Sequence, residues 1–491
     1  MAPSRLSVLM LSWEFPPRII GGISSHVYDL SMALTRRNVT VHVITCDFPG
    51  APEHEQVGGV DVYRFNSKIP SMSFLGWVFS MNQAMAEKAI DVINDNDEEI
   101  DIIHAHDWLV AEAAVKIRQA FTKPLVSTIH ATEMGRRSGI HNDYQKTINE
   151  VEWHLVNQSS EVICCSNYMA HQVSSAFNVQ PTRLHVIPNG VNAAKFSGDA
   201  DTLPVKHRYA ANGEKIVSFV GRLVHEKGVH VLIGAVPKVL AEMPKVNFVI
   251  VGEGGMKEYL AKEAYDFGVA DHVFFAGFVD EQTLISIYRA SDAAVFPSLY
   301  EPFGITALEA MAAKTPIIVT DIGGLAEIVE HEKTGIKVYV DNSDSLAWGI
   351  LRVLKNRDVA KKIRDNGYRK VIREYDWNAI AEKTMKVYNS ALVATPRHEA
   401  IRIKFPSFTF EEHSADMRIL LLMHILGALD DENAKRPAEL AGMLGMDAKT
   451  LHDLLQKLVD SGYIVSFRDN FRRLRYYLTK MGIVKVLSAF S

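Results

Sequence analysis

The sequence alternates short apolar runs with longer amphipathic stretches, and this rhythm occurs twice along the chain. Such a pattern is typical of parallel strands joined by crossover helices. In sheets of this kind, ligands bind beyond the carboxyl ends of the strands. Functional residues are therefore expected in the loops that follow strands.

The two repeats predict an α/β fold made of two doubly wound, Rossmann-like domains that face each other across a cleft. We assign them to residues 1–200 and 201–395, with the final helix of the second crossing back to the first. The strands predicted for the first half are residues 7–11, 41–45, 102–105, 125–129, 162–165 and 184–187. Those predicted for the second half are residues 216–220, 247–251, 273–275, 293–296 and 317–319.

The remaining residues predict a different kind of unit. A linker at 396–412 precedes a domain at 413–491, where helices are predicted at 417–429, 437–444 and 448–461 and strands at 463–467 and 474–478. That order is typical of a winged helix. Basic and acidic residues are equally numerous from Glu411 onward, unlike the basic surface of most DNA-binding domains. Docking to a protein partner or homo-oligomerisation is therefore favoured over DNA binding.

Charge and cysteine content exclude several classes. The formal net charge of -5 gives no chain-wide attraction to nucleic acid or anionic membranes. No apolar run approaches the roughly 20 residues that a membrane helix needs. Cys46, Cys164 and Cys165 lack metal-ligand spacing, and their odd number argues against a disulfide framework. We expect a cytoplasmic protein without a membrane partner.

Glycines and cations lie in the first loop of each half. Gly21 and Gly22 follow the first predicted strand, where they let the backbone pass close to a ligand ahead of a helix that offers unpaired N–H groups to phosphate. A tight turn without a ligand explains this pair equally well. Arg222 and Lys227 occupy the matching loop of the second half and suit a diphosphate, Arg222 as a fork and Lys227 as a compact charge.

Two glutamates follow a later strand of the second half. Glu301 shares its loop with Phe303 and Gly304, and Glu309 lies one turn inside the next helix. Carboxylates in this position accept hydrogen bonds from ribose and sugar hydroxyls. The alternative for Glu309 is an ordinary helix-surface acid, which fits poorly with its apolar neighbours in the sequence.

These glutamates, the Arg222–Lys227 pair and the Gly21–Gly22 loop together resemble the family 4 retaining glycosyltransferases, which have the GT-B fold. The resemblance covers roughly residues 6–392, and segments 104–108 and 127–133 are similar more narrowly to the glycogen and starch synthase group. Many glycogen synthases have Lys-x-Gly-Gly in the first loop, whereas this chain has Arg18-Ile19-Ile20-Gly21-Gly22. The role of that lysine is therefore empty or taken by Arg18.

The resemblance implies a role for each matching residue. Arg222 and Lys227 would hold the donor diphosphate, Glu309 the nucleotide ribose, and Glu301 the transferred sugar. His130 would sit beside the anomeric carbon, and Asp107 would line the acceptor side. The complete donor-binding set would be Gly21, Gly22, Arg222, Lys227, Glu301, Phe303, Gly304 and Glu309.

No metal or other cofactor is expected, because the two cations can stabilise the leaving diphosphate. The acidic run 95–99 resembles an Asp-x-Asp metal motif, but a solvated helix end is favoured. His104 and His106 resemble a pair of metal ligands, but this interpretation is not favoured. We expect them to point to opposite faces of their strand, one structural and one lining the cleft.

The function predicted from the sequence is retaining transfer of glucose from ADP-glucose or UDP-glucose to an α-glucan. One alternative keeps the same machinery with another donor or acceptor, such as a sugar 1-phosphate. Another is a ligand-sensing regulator that acts through the winged helix. The intact set of matching residues favours an enzyme over a regulator, because a sensor could lose one of them freely.

Overall fold

The chain forms an eight-stranded sheet, a six-stranded sheet and a two-stranded hairpin. The computed structural model describes residues 6–66, 74–95, 100–198, 200–394, 414–425, 428, 434–469 and 473–479. The predicted linker at 396–412 lies outside these residues. Within them, no helix combines the length and apolar character needed to cross a membrane.

The first sheet is parallel except at one edge. Its strands are β1 (Ser7–Leu11), β2 (Thr40–Cys46), β3 (His54–Val57), β4 (Val60–Phe65), β5 (Ile102–His106), β6 (Leu125–Ile129), β7 (Glu161–Cys164) and β8 (Leu184–Val186). Their spatial order is β3-β4-β2-β1-β5-β6-β7-β8, and only β3 runs antiparallel to its neighbour. Every residue of β1, β5 and β6 is buried, as expected of parallel strands covered on both faces.

Helices pack around this sheet and lead on to the second. Those of the first half are α1 (Gly22–Thr35), α2 (Phe74–Asp95), α3 (Ala111–Phe121), α4 (Glu133–Arg136), α5 (Asp143–Gln158) and α6 (Asn167–Phe177). Two short helices, α7 (Ala193–Ser197) and α8 (Leu203–Tyr209), then precede the second sheet.

The second sheet is entirely parallel. Its strands are β9 (Lys215–Val220), β10 (Val246–Val251), β11 (Val273–Gly277), β12 (Ala293–Phe296), β13 (Ile317–Thr320) and β14 (Ile336–Val338), in the spatial order β11-β10-β9-β12-β13-β14. Its helices are α9 (Val229–Glu242), α10 (Lys257–Asp266), α11 (Glu281–Ala290), α12 (Ile305–Ala312), α13 (Gly323–Ile328), α14 (Ser343–Lys355), α15 (Arg357–Glu374) and α16 (Trp377–Ala394). The predicted pair of doubly wound α/β sheets is confirmed.

The strand order reverses between β1 and β5 in the first sheet and between β9 and β12 in the second. Loops diverge at such a switch point and leave a crevice for ligands. The residues in these four loops include Gly21, Asp107, Arg222 and Glu301. The topology therefore places the sequence-predicted residues at the two crevices.

Helix α16 packs back across the first sheet. The Tyr388 hydroxyl lies 2.8 Å from Nδ1 of His104, and the Ser390 hydroxyl donates to Glu161 Oε1 at 2.8 Å. Trp377, at the start of the helix, is buried in the same apolar cluster as α1. This helix therefore ties the end of the second half to the first.

Three strands were missing from the sequence-based prediction: β3, β4 and β14. Strand β3 has only four residues with alternating exposure at the sheet edge, and β14 has three. Strand β4 is paired with β3 through a turn at Gly58 and Gly59, both of which have positive φ. Strands β3 and β14 are too short for a long apolar run, and β4 interrupts its apolar residues with Asp61 and Arg64, so none of the three has the pattern by which the others were recognised.

The C-terminal residues form three helices and a hairpin in the predicted order. They are α17 (Ala415–Ile425), α18 (Pro437–Leu444), α19 (Ala448–Asp460), β15 (Ile464–Arg468) and β16 (Leu474–Leu478), and the two strands are antiparallel. The first helix was predicted at 417–429; it is described over Ala415–Ile425, Ala428 is not helical, and residues 426, 427 and 429 lie outside the described residues. The imidazole of His424 packs against the Phe79 ring of α2, with centroids 5.7 Å apart. The winged-helix assignment stays a prediction.

Candidate active site

The loop after β9 carries the two predicted cations. Gly228, which follows Lys227, has φ of +66°, and a Cβ there would meet the Pro297 carbonyl oxygen at 1.9 Å. A glycine is therefore required for this loop to contact the loop after β12. As a result, Lys227 Nζ lies 2.6 Å from Glu301 Oε2.

Each cation has an acidic neighbour. Lys227 and Glu301 are largely buried, with side chains 20% and 9% exposed, and the Ser298 hydroxyl also donates to Glu301 Oε2 at 3.0 Å. Arg222 is half exposed and pairs with Glu226 at 3.4 Å. The structure thus brings Lys227 and Glu301 together, and it leaves the Arg222 guanidinium open to the cleft.

Helix α12 begins beside this pair. Gly304 precedes it with φ of +112°, and a Cβ there would meet Leu325 Cδ2 at 2.7 Å. The Phe303 ring is buried against Tyr375, with centroids 6.1 Å apart. Phe303 and Gly304 therefore set the start of α12 by packing.

Glu309 lies one turn inside α12. Burial raises the pKa of this carboxyl to about 7, and the Tyr288 hydroxyl, 3.3 Å from Glu309 Oε2, works in the opposite direction. A cavity of about 30 Å³ borders Glu309, Asp29, His26 and Trp377. Glu309 is accordingly a half-buried acid beside a cavity and not an ordinary helix-surface acid.

The Gly21–Gly22 loop differs from the simple phosphate cradle that was predicted. The N–H groups of Ile20 and Gly21 donate to Oε2 of Glu14 at 2.7 and 2.9 Å, so two of the loop's donors are already occupied. No side chain caps the first turn of α1, which begins at Gly22. A Cβ on Gly22 would lie 3.0 Å from Ile305 Cδ1, which places this loop against the start of α12.

Glu14 was missed by the sequence analysis. Burial raises the pKa of its carboxyl, and this is opposed by the Gly21 and Ile20 N–H groups and by the charges of Arg18 and Arg222. The Arg222 guanidinium of the second half therefore acts electrostatically on a carboxyl of the first. The only signal in the sequence was an acid directly after an apolar strand.

Arg18 is the residue considered as a substitute for the missing lysine. Its guanidinium lies 5.7 Å from the Trp13 ring and 5.9 Å from the Trp77 ring, and it also reaches the Asp47 carbonyl at 3.5 Å. Stacking on two indoles holds the charge at the rim of the loop by cation–π attraction.

His104 and His106 lie on the same face of β5, so the expectation of opposite faces was wrong. Their ring centroids are 4.2 Å apart. The physical reason is the two-residue period of a strand, which returns residues i and i+2 to one face. His104 is structural, since its two ring nitrogens contact the Tyr388 and Thr128 hydroxyls at 2.8 Å.

His130 follows β6 and lies within a cluster of buried imidazoles. Its Nε2 is 3.4 Å from Nδ1 of His106, and its ring centroid is 4.7 Å from that of His26. Burial lowers the pKa of His26 to about 4 and holds the pKa of His106 and His130 well below the usual value. These rings are therefore neutral at physiological pH.

Asp107 is buried after β5 in an unusual backbone conformation. Its φ is +68°, and its carboxylate accepts from the Trp108 N–H at 3.0 Å. Burial raises the pKa of Asp107 to about 6, and the charge of Arg136 opposes that shift. A non-glycine residue with positive φ at a crevice is a frequent feature of functional sites.

Arg136 was also missed by the sequence analysis. It lies on α4 and forms ion pairs with Glu133 at 3.2 Å and with Glu152 at 3.1 Å, and Glu152 is fully buried. Both oxygens of Glu152 accept from the Glu133 N–H. Spacing from Glu133 to Arg136 was visible in the sequence, but the contact with Glu152 of α5 was not.

Contacts across the cleft hold the two halves face to face. The Tyr300 hydroxyl enters the first half, where it accepts from Thr132 N at 3.4 Å and donates to Gln172 at 3.0 Å. The Glu327 carboxylate accepts from the backbone N–H groups of Asn167 and Tyr168 at the start of α6. Both sets of loops therefore border a common space.

Two facing Rossmann-like domains of this kind define a GT-B glycosyltransferase, and similar proteins support that class. A glycogen synthase of Mycobacterium tuberculosis is 34% identical over 400 residues, which are 79% of this chain and 95% of that protein. An uncharacterised glycosyltransferase of Methanocaldococcus jannaschii is 39% identical over 391 residues, covering 79% of this chain and 99% of that one. The structure of sucrose-phosphate synthase from Thermosynechococcus elongatus superposes with a TM-score of 0.69 at 25% identity, covering 79% and 100% of the two chains.

The family models agree with this classification. Residues 20–195 match the model described as Glycosyltransferase Family 4, and residues 205–370 match Glycosyl transferases group 1. The chain therefore belongs to glycosyltransferase family 4.

Proposed function

We propose that the protein is a retaining transferase that moves glucose from a nucleoside diphosphate glucose to an α-glucan. The observation that carries this proposal is the Lys227–Glu301 pair beside Arg222, in the two loops at the switch point of the second sheet. The similarity to a glycogen synthase along most of both chains supports the glucan acceptor.

The ion pair supplies the groups that donor binding requires. When a donor diphosphate arrives, Lys227 and Arg222 exchange their carboxylate partners for phosphate oxygens. Glu301 is then released to accept hydrogen bonds from the sugar hydroxyls. Glu309, beside the small cavity, accepts hydrogen bonds from the ribose.

The reaction breaks the bond between the anomeric carbon and the leaving phosphate oxygen. An acceptor hydroxyl forms the new bond on the same face of the sugar, and its proton passes to the leaving phosphate oxygen. Negative charge develops on the diphosphate, where Arg222 and Lys227 are already in place to stabilise it. Contacts such as Tyr300 with Thr132 close the cleft and exclude water that would hydrolyse the donor.

The first half supplies the acceptor side. His130 is neutral there, so it can donate or accept one hydrogen bond without placing a charge beside the sugar. Asp107 lines the acceptor path. The cysteines Cys46, Cys164 and Cys165 are free and buried, which is compatible with the reducing cytosol where we place the reaction.

We assign the C-terminal helices and hairpin, as a winged helix, a docking role. Helix α17 already packs on α2 through His424 and Phe79, and α19 carries Asp453 and Asp460, which would repel phosphate. Tight binding of duplex DNA by the full chain at physiological salt would contradict this role.

Nucleoside diphosphate release tests the main proposal. It is measured with ADP-glucose and with UDP-glucose, each with and without glycogen. Glycogen-dependent release from one donor is expected, with the α anomer in the product. It should be lost in Arg222→Ala and kept in Arg357→Ala, which removes an exposed arginine at the start of α15. Release only with small acceptors would reject the glucan, and no release with any donor would favour a regulator.

A further inference from the structure

Three histidines from separate parts of the first half converge beneath the cleft. His26 comes from α1, His106 from the end of β5, and His130 from the loop after β6. One ligand-forming atom from each lies within 4.8 Å of the other two. The rings contact one another directly, with His26 to His106 centroids at 5.3 Å and His26 to His130 centroids at 4.7 Å.

The neighbouring His104 shows what a purely structural histidine looks like here. Both of its ring nitrogens are held by hydroxyl groups, so it has no lone pair left for a ligand. By contrast, the Asn189 side chain is the one polar partner that the described residues give the His26 ring, so a ring nitrogen of His26 is left without a hydrogen bond. Nε2 of His106 points away from this cluster and is also buried without a partner, whereas its Nδ1 faces His130. His26 and His106 are 5% and 0% exposed, so water does not freely reach those atoms.

A buried polar atom without a partner carries a desolvation cost and calls for an explanation, of which a bound ion is one. Asn189 lies against His26: a hydrogen bond from its side chain acts on the pKa of that ring, and no other partner reaches its buried Oδ1 within the described residues. In metal sites, the ring nitrogen opposite the metal commonly donates to a carbonyl or amide oxygen, which fixes the tautomer. Asn189 is placed to take that part.

We propose that His26, His106 and His130 form a binding site for a divalent transition-metal ion, with Zn²⁺ as the ion that the ligands suit best. Neutral imidazoles are ordinary zinc ligands, at about 2.0–2.1 Å from the ion. Two ligands at a tetrahedral ion then lie roughly 3.4 Å apart. His106 Nδ1 lies 3.4 Å from His130 Nε2, in a hydrogen bond that the ion would replace. The ligand-forming atom of His26 lies within 4.8 Å of the other two and would move closer to complete the set.

Three protein ligands leave one tetrahedral position for water or another ligand. His130 is the least buried of the three, so the ion enters from the cleft side. An ion held there binds the His130 imidazole, which the proposed function places beside the anomeric carbon. We therefore expect Zn²⁺ to inhibit glucosyl transfer reversibly, and this last consequence rests on the proposed function.

Cobalt uptake tests the site without reference to activity. The full chain is treated with a chelator, exchanged into metal-free buffer and titrated with Co²⁺, whose visible absorption reports its coordination. One Co²⁺ per chain is expected, with tetrahedral bands that disappear when Zn²⁺ displaces it. His26→Phe keeps a ring against Trp377 but removes the ligand nitrogens, and it should weaken Co²⁺ binding at least about 100-fold. His185→Gln, which changes a partly exposed histidine paired with Glu161, is the matched control and should bind normally.

His106→Gln is the second variant in case His26→Phe does not fold, which circular dichroism would show. Absence of stoichiometric Co²⁺ uptake by the unaltered chain would overturn the proposal. So would uptake that is unchanged in a folded His26→Phe or His106→Gln variant. The absorption is measured without any donor sugar. The result for the metal site therefore does not depend on whether the protein catalyses the proposed transferase reaction.

Discussion

The two halves meet at one cleft but present different chemistry to it. In the second half, charged groups reach the cleft as pairs of opposite sign within neighbouring loops, Lys227 with Glu301 and Arg222 with Glu226. In the first half, the cleft is bordered by neutral imidazoles, by the buried carboxyls of Glu14 and Asp107, and by the cluster around Arg136, all assembled from distant segments. The second half thus offers charges that a ligand can exchange, whereas the first offers a prearranged polar wall.

Because of this difference, charged residues of the second half should affect turnover and those of the first half should affect stability. A cation that must leave its carboxylate partner to bind phosphate contributes mainly to turnover. A cation enclosed by acids away from the donor contributes mainly to the fold, because its removal leaves buried carboxylates without compensation. Substitutions in the two halves should therefore have opposite profiles.

Lys227→Ala should produce the largest effect. In the proposed function it removes a charge that stabilises the leaving diphosphate, so kcat should fall by about 100- to 1,000-fold, while Glu301 keeps its hydrogen bond from Ser298. Steady-state nucleoside diphosphate release measures this. Lys262→Ala, which removes an exposed lysine paired with Asp266, should behave as the unaltered enzyme. A loss of less than tenfold, or an equal loss in both variants, would show that the charge is not used in the reaction.

Arg136→Ala should have the opposite profile. Burial raises the pKa of Glu152 to about 8 even beside Arg136, so at pH 7 the variant loses a hydrogen bond to a largely protonated Glu152. It also loses a counter-charge of the nearly buried Glu133, and the free energy of unfolding should fall by about 3 kcal/mol. Urea unfolding followed by circular dichroism measures the change. Arg137 is the matched control, because it lies next in the chain, also pairs with Glu133, and is 60% exposed. Arg137→Ala should cost at most about 0.5 kcal/mol, and equal losses in the two variants would remove the distinction between the halves.

The same comparison shows why one site was easier to predict than the other. Arg222 and Lys227 lie in one loop-to-helix segment, and Glu301 and Glu309 lie in another. The end of the preceding strand is enough to predict where the residues of such a segment lie. Contacts between Arg136 and Glu152 depend on how α4 packs against α5, which no local pattern records. The long apolar strands were predicted for the same reason, whereas β3 and β14, with few residues and partial exposure, were not.

The histidines illustrate a second limit. The two-residue period of a strand was sufficient to place His104 and His106 on one face, but the sequence analysis placed them on opposite faces. The meeting of His26 with His130 was beyond any periodicity, since it requires the parallel pairing of β1, β5 and β6. Side chains that follow different strands become neighbours only through the sheet order.

Donor binding should depend on pH through Glu309. Burial raises the pKa of this carboxyl from 4.5 to about 7, so it is protonated below pH 7 and ionised above. In the proposed function, the ionised form accepts hydrogen bonds from ribose hydroxyls, whereas the diphosphate diester of the donor does not titrate in this range. The KM for the donor should therefore rise by about tenfold from pH 8 to pH 6. Glu309→Gln should show a nearly flat KM profile, and an unchanged slope in that variant would assign the titration to another group.

The smallest effect is expected from a substitution at a contact between the two halves. The Glu327 carboxylate accepts three hydrogen bonds at the start of α6, from Asn167 N, Asn167 Nδ2 and Tyr168 N, where the helix dipole favours a negative charge. Glu327→Gln keeps one oxygen acceptor but loses the charge, worth about 0.3–1 kcal/mol, so the donor KM should rise by roughly twofold to fivefold. Glu332→Gln, which alters an acid paired with Arg352 inside the second half, is the control. If Glu327→Gln lowers kcat as strongly as Lys227→Ala, closure of the cleft and stabilisation of the diphosphate charge are not separable. The contrast between the two halves would then no longer hold.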